Sequence, residues 1–119
     1  MLGVDIIEIS RIRKSITGEA FIKKVFTTKE VEYCEGTTNS AVSASRFAVR
    51  FAAKEAVFKA LPELSFLNWQ EIEITNDFSG KPHVAFSGKS LEIIKSSGKK
   101  MEVSLSHSKY YAIAIVMVC

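Results

Sequence analysis

The first apolar run, Leu2 to Ile9, predicts a β-strand, because Val4, Ile6, Ile7 and Ile9 are β-branched. A period of two sets Leu2, Val4 and Ile6 on one face and Gly3, Asp5, Ile7 and Ile9 on the other. Ser10 is placed to cap a short helix starting near Arg11. Thr27-Thr28-Lys29-Glu30 has the form of a capping box, which predicts a helix running to about Glu35. A polar turn over Gly36–Ser40 leads into the longest helical pattern, Ala41 to Ala60, which is rich in alanine and free of Gly and Pro. Pro62 ends it, since proline lacks the donor and clashes with the preceding turn.

The second half changes character. Glu71 to Thr75 alternates as a strand, Asn76 to Gly80 carries turn chemistry, and His83 to Phe86 reads as a second short strand. Lys89 to Ser96 predicts a short helix stopped by Ser97-Gly98, followed by strands over Met101–Ser106 and Tyr110–Val118. The last strand is apolar throughout and reads as buried. No repeat, low-complexity stretch or linker interrupts the chain, so residues 1–119 form one expected domain. One strand, then helices, then a strand-rich half predicts the α+β class.

Composition narrows the class. The 119 residues are 47% hydrophobic and 24% charged, which suits a globular domain and is too apolar for a disordered one. A domain of this size buries roughly two-thirds of its unfolded surface, so a subunit interface would add useful stability. No apolar run approaches the ~20 residues needed to cross a bilayer, and the N-terminus lacks the basic flank of a signal peptide. Cys34 and Cys119 match neither a zinc pattern nor a disulfide framework, and reduced thiols in a cytoplasmic protein are expected.

The net charge of +3 becomes informative once it is located. Residues 1–35 hold six basic and six acidic side chains, and residues 61–119 hold six of each. The whole excess lies in residues 36–60, where Arg46, Arg50, Lys54 and Lys59 face Glu55 alone. A surplus confined to one helix suggests an anionic ligand more than general attraction to nucleic acid.

Several residues carry candidate chemistry, each with a plainer alternative. Asp5 lies inside an apolar strand, so it must be paired, bind a metal or sit at a sheet edge. Glu55 lies beside an aromatic stripe of Phe47, Phe51 and Phe58, with Lys59 one turn on, where a simple Glu–Lys helix pair is the alternative. Arg46, Arg50 and Lys54 form a basic stripe along the other edge, either a ligand site or a solvated face. His107 falls in a turn, where most histidines are merely surface residues. Two distant carboxylates, a lysine and a basic stripe together suit metal-assisted phosphoryl transfer. Mg²⁺ takes one or two carboxylates plus substrate phosphates, and arginines orient the anion. No Gly-rich phosphate loop is present, which excludes Walker-type and dinucleotide folds.

These residues resemble the holo-[acyl-carrier-protein] synthase family of small 4′-phosphopantetheinyl transferases. Gly3-Val4-Asp5-Ile6-Ile7-Glu8-Ile9-Ser10-Arg11 is similar to its N-terminal signature, and Arg50 to Ala60 to its central helix motif. Trp69 to Ile74, Gly80-Lys81-Pro82 and Ser104-Leu105-Ser106-His107 follow in the family's order, so the match covers nearly the whole chain. The resemblance implies a subunit with a long central helix packed on an antiparallel sheet. It implies Mg²⁺, with Mn²⁺ able to substitute, on Asp5 and Glu55, with Glu55 and Lys59 catalytic. It implies coenzyme A contacts from Arg50 and His107, with Lys54 and the Gly80-Lys81-Pro82 turn bordering the same site. Arg11 matches a basic position that meets an acidic acyl carrier protein, and charge alone extends that patch to Arg13 and Lys14. A cytoplasmic homotrimer serving fatty acid biosynthesis, with active sites between neighbours, is also implied. One departure stands out: Leu61-Pro62-Glu63 replaces the family's usual glycines after the central helix, which predicts a reshaped loop.

Three other readings fit the residues alone. A metal-dependent phosphohydrolase would consume coenzyme A with water as nucleophile. A basic nucleotide- or RNA-binding module would use the arginine stripe but leave Asp5 without a role. A structural domain would spend all these charges on solvated pairs.

Overall fold

The computed structural model describes all 119 residues. β1 (Leu2–Glu8) runs directly into α1 (Ile9–Ser15), which is followed by α2 (Glu19–Val25), α3 (Thr28–Glu35) and the long α4 (Ser40–Ala60). Two short 3₁₀ turns, Pro62–Phe66 and Trp69–Glu71, lead to β2 (Ile72–Asn76) and β3 (Pro82–Phe86). α5 (Gly88–Ser97), β4 (Met101–His107) and β5 (Tyr111–Val118) complete the chain. The strands form an antiparallel sheet of order β1-β5-β4 and a separate β2-β3 hairpin, and α4 packs across the sheet. This is the expected α+β arrangement, with a long central helix on an antiparallel sheet.

Most elements fall within a residue or two of their predicted limits, and the differences have physical reasons. α1 starts at Ile9 with Glu8 as its N-cap and no side-chain cap bond, so Ser10 lies inside the helix and does not cap it. α2 was not anticipated: it has seven residues and follows Gly18, which offers no capping side chain. The capping box is formed as expected, Thr27 Oγ1 accepting from Glu30 N and Glu30 Oε1 accepting from Thr27 N. His107 is the last residue of β4, paired with Ala112, and does not lie in the turn.

α4 lies so close to β1 that only glycine fits at the crossing. A Cβ on Gly3 would sit 1.9 Å from the Ala56 carbonyl oxygen and 2.8 Å from the Ala60 nitrogen. Two residues along the same face comes Asp5, which is therefore delivered against the last turns of α4. The core above the sheet is built from Ala48, Ala52, Ala53, Ala56 and Val57 of α4 and the buried Ala112, Ala114, Val116 and Val118 of β5. On the other side of α4, Phe47 packs edge-on to Phe26, Phe51 stacks on Trp69, and Phe58 meets Trp69 edge-on. The aromatic stripe is thus core.

β5 is not buried on both faces, contrary to its uniformly apolar sequence. Tyr111, Ile113, Ile115 and Met117 are exposed. In the sheet register Val4 pairs with Ile115, Leu2 with Met117 and Ile6 with Ile113. Leu2 and Ile6 are 71% and 62% exposed, so the six side chains form one continuous apolar face.

Candidate active site

Two groups of polar residues occupy opposite ends of α4. At its C-terminal end, Lys59 Nζ donates to Asp5 Oδ1 at 3.1 Å and to the Val4 carbonyl at 3.0 Å. No Glu55–Lys59 ion pair forms; Lys59 reaches across to β1 instead. Glu55, partly buried, stands near enough to Asp5 to feel its charge. Burial first, and then the Asp5 carboxylate, raise the Glu55 pKa above its ordinary value, while Lys59 lowers it. Glu55 therefore stands unpaired beside the Asp5–Lys59 pair, leaving a net negative charge at the crossing of β1 and α4.

No group of three or more His, Cys, Asp or Glu side chains is assembled anywhere in the chain. An all-protein metal cage is thus absent, which bears on which ions fit. Mg²⁺ keeps several waters and binds through one or two carboxylates plus substrate phosphates, so Asp5 and Glu55 form an adequate protein contribution. A cation placed there would offset the repulsion that Asp5 imposes on Glu55.

Toward the other end of α4 lies a cleft of about 440 Å³. Arg46, Val49 and Arg50 from α4, Tyr33 from α3, Gly80 and Pro82 from the hairpin, and Leu105 and His107 from β4 line it. Four of the residues implicated by sequence, Arg50, Gly80, Pro82 and His107, are brought together here. Arg50 is 3% exposed, and its Nε is buried without a hydrogen-bond partner. A buried guanidinium N–H without an acceptor costs free energy unless a ligand supplies one. The hairpin turn beside it is rigid: Asp77 Oδ1 accepts from Ser79 N and Lys81 N, and Asp77 Oδ2 meets His83 Nε2 at 3.0 Å. The Ser79 hydroxyl, followed by His83, holds the Asp77 pKa well below the usual carboxylate range. Gly80 has φ +90° in that turn, a conformation open to glycine and strained for other residues.

The remaining sequence candidates fall elsewhere. Lys81 lies in the same turn but lines a small neighbouring hollow with His83 and Glu102. Lys54 is completely buried, its Nζ donating to Glu30 Oε1 and the Val25 carbonyl at 2.6 Å and to the Trp69 carbonyl at 3.3 Å. Those three bonds use all three ammonium hydrogens, so Lys54 has a structural role and no donor left for a ligand. Glu30 Oε2 accepts from Ile74 N at 2.8 Å, completing a network that ties α2, α3, α4 and β2 together. Arg11, Arg13 and Lys14 are exposed on α1 around a shallow basic hollow shared with Ser10, and Arg13 donates to Ser40 Oγ at 2.6 Å. After α4, Leu61 and Leu64 are buried and Pro62 opens a 3₁₀ turn, so Leu61-Pro62-Glu63 begins a packed turn.

Tyr33 and Asn76 belong to the cleft but were not singled out by sequence, and Arg46 was noted only as part of a stripe. Tyr33 lies in α3, thirteen residues before Arg46, and no local pattern marks it as a partner of α4. The usable signal was the charge surplus of residues 36–60. With Lys54 paired to Glu30 and Lys59 to Asp5, the unpaired cations are Arg46 and Arg50.

Comparison with known proteins identifies the family. A profile described as the 4′-phosphopantetheinyl transferase superfamily matches residues 1–116. The holo-[acyl-carrier-protein] synthase of Ruminiclostridium cellulolyticum is 46% identical, over 99% of this chain and 90% of that protein. The protein of the same name from Geotalea daltonii is 40% identical, over 98% of this chain and 94% of its own length. Among solved structures, the Helicobacter pylori holo-[acyl-carrier-protein] synthase in complex with coenzyme A superposes with a TM-score of 0.82, at 28% identity and full coverage of both chains. The Bacillus anthracis enzyme, in complex with CoA (3′,5′-ADP), gives a TM-score of 0.77 at 33% identity, covering 98% of this chain and 93% of that one. The chain belongs to the holo-[acyl-carrier-protein] synthase family of the 4′-phosphopantetheinyl transferase superfamily.

Proposed function

We infer that this enzyme transfers 4′-phosphopantetheine from coenzyme A to a serine of an apo acyl carrier protein, releasing 3′,5′-ADP, as a step supporting fatty acid biosynthesis. The observation that carries the reading is the meeting of Asp5 with Glu55 and Lys59, which lie fifty or more positions further along the chain, where Gly3 lets β1 touch α4. Mg²⁺ or Mn²⁺ held by Asp5 and Glu55 would neutralise charge on the coenzyme A pyrophosphate. The cleft of Arg50, Gly80, Pro82 and His107 receives the nucleotide end, with Arg50 as the cation that faces its phosphate.

The reaction balances as an in-line displacement. The carrier serine oxygen bonds to the β-phosphorus, the bond from that phosphorus to the bridging oxygen breaks, and 3′,5′-ADP leaves with the bridging oxygen. The serine proton goes to a base. Two candidates stand for it, Lys59 and a water held by Glu55. Lys59 donates to Asp5 and to the Val4 carbonyl, the posture of a cation that offsets phosphate charge.

Arg11, Arg13 and Lys14 follow immediately on β1 and offer the basic surface on which an acidic carrier protein would dock. Lys81, beside the nucleotide cleft, adds charge for the same ligand. The exposed face of Leu2, Val4, Ile6, Ile113, Ile115 and Met117 calls for a cover, which a homotrimer with active sites between neighbours would supply. No helix is long and apolar enough to cross a membrane, in keeping with a cytoplasmic enzyme.

The test is to incubate the protein with Mg²⁺, coenzyme A and an apo carrier protein and to weigh the carrier. A mass increase equal to one phosphopantetheine, absent when EDTA is added, is expected. Consumption of coenzyme A with an unmodified carrier would support the phosphohydrolase reading instead.

A further inference from the structure

A second cleft of about 440 Å³ opens between the start of α1 and the turn that joins β4 to β5. Ile9, Ala41, Tyr110 and Tyr111 give it apolar walls, and Arg13 and Lys109 supply cations. Neither cation forms an ion pair. The turn itself is fixed. Ser108 N donates to the Tyr111 carbonyl at 2.8 Å, Tyr111 N donates to Ser108 Oγ at 3.2 Å, and Ile9 N donates to the Tyr110 carbonyl at 2.8 Å. Arg13 is steadied by its bond to Ser40 Oγ. Tyr110 is nevertheless 65% exposed, with the Lys109 ammonium 5.5 Å from its ring centroid.

A ring held out on a fixed backbone loses little freedom when a partner covers it, which is why tyrosines so often anchor interfaces. The chemistry of the cleft says what the partner offers. Its apolar walls fit an apolar side chain, and its two free cations fit carboxylates flanking that side chain. Glu8 also lines the cleft and repels acids, which directs them toward Arg13 and Lys109. Ser10 and Arg13 line both this cleft and the shallow basic hollow on α1, so the two form one continuous surface. Asp5 stands three residues before Glu8 on β1, roughly 10 Å back along the strand, so a partner seated here lies close to the carboxylate cluster.

We propose that the β4–β5 turn completes the carrier-docking surface: Tyr110 anchors an apolar side chain of the acyl carrier protein, and Lys109 with Arg13 takes the carboxylates beside it. The inference rests on the phosphopantetheinyl transfer proposed above and on α1 as the first part of the docking surface. Tyr110 touches neither coenzyme A nor the reacting atoms in this scheme; it holds the carrier.

Steady-state transfer, with carrier and coenzyme A varied in turn, tests it. In Tyr110→Ser the carrier KM rises about tenfold, whereas kcat and the coenzyme A KM stay within about twofold. Tyr110→Phe, which keeps the ring, holds the carrier KM to within about threefold. Lys109→Ala raises the carrier KM about threefold at low salt, and the difference fades as salt is added. That variant leaves the ring in place and keeps the test open should Tyr110→Ser not fold. An unchanged carrier KM in folded Tyr110→Ser or in Lys109→Ala overturns the proposal. So does an equal rise in the coenzyme A KM, which would assign the turn to the nucleotide cleft. A change in subunit number in Tyr110→Ser, read by light scattering, overturns it too, since the cleft would then be a contact between copies. A carrier left unmodified by the wild type refutes the proposed function itself, a result that no variant mimics.

Discussion

α4 presents two lysines to carboxylates from elsewhere in the chain, and the two meetings differ in kind. At Lys54 the charges balance, since one ammonium faces the single carboxylate of Glu30, and each remaining donor and acceptor is bonded to backbone. The side chains of both residues are fully buried. At Lys59 the charges do not balance, because Glu55 stands unpaired beside Asp5 and the half-exposed ammonium that Asp5 holds. Lys54 and Lys59 are five residues apart on one helix, so propensity and composition do not separate them. Stoichiometry and closure do. A sealed one-to-one pair is a strut, while an open two-to-one cluster retains capacity for a further cation.

Breaking the strut has the largest expected effect. Lys54→Ala leaves the Glu30 carboxylate buried without its partner, which costs about 3–5 kcal/mol and is read as a large fall in denaturation midpoint. Survival of Lys54→Ala with near-normal stability would mean that Glu30 finds water or a new partner. Burial, only partly offset by Glu30, already lowers the Lys54 pKa, so the pair is held at some desolvation cost.

The open cluster answers differently. Asp5→Ala should leave the fold largely intact and lower metal-dependent transfer by about 10²-fold or more, since one of two protein ligands is gone. Nucleic-acid affinity that falls with salt but ignores this substitution would favour the binding-module reading. Lys59→Ala sharpens the distinction further: near-normal turnover at neutral pH removes the lysine as base and leaves the proton with Glu55.

A smaller effect concerns stability and pH. Because the folded-state pKa of Glu55 is raised, the folded chain holds that proton more tightly than the unfolded one does. The contribution of Glu55 to stability is fully present below the ordinary carboxylate pKa and declines as pH rises through the raised value. At neutral pH the metal-free protein thus carries a small penalty, and Glu55→Gln should relieve it. The gain should vanish in acid, and melting curves at two pH values would show it. A loss of stability at neutral pH would contradict the assignment.

The smallest effect is chemical. Burial pushes the Cys34 thiol pKa up to about 12, whereas Cys119 is exposed at the C-terminus. A thiol reagent at neutral pH should therefore add one label to the native protein and two after denaturation.

Much of the fold was legible because local rules set it. The Thr27–Glu30 capping box, the stop at Pro62 and the alternation in β1 each act over a few residues, and each is realised. What escaped was non-local. Lys54 read as part of a basic face because its partners, Glu30 and the carbonyls of Val25 and Trp69, come from three other segments. β5 read as buried because both of its faces are apolar. The size of the residues carried the missing signal, since Ala112 and Ala114 pack under α4 while Ile113 and Ile115 face outward. α2 escaped because seven residues behind a glycine give no cap and only about two turns of pattern. Within the site, Asp5 and Glu55 could be named from motif and charge, but that Gly3 brings them together needed the crossing of β1 and α4. Tyr33 needed α3 folded against α4 before its ring met the guanidiniums of Arg46 and Arg50.

Mn²⁺ titration in the presence of coenzyme A, followed by electron paramagnetic resonance, probes the cluster without depending on turnover. The account predicts one tightly held ion per subunit in the wild type, released by Asp5→Asn or by Glu55→Gln alone. Mn²⁺ held equally well after either substitution would contradict it.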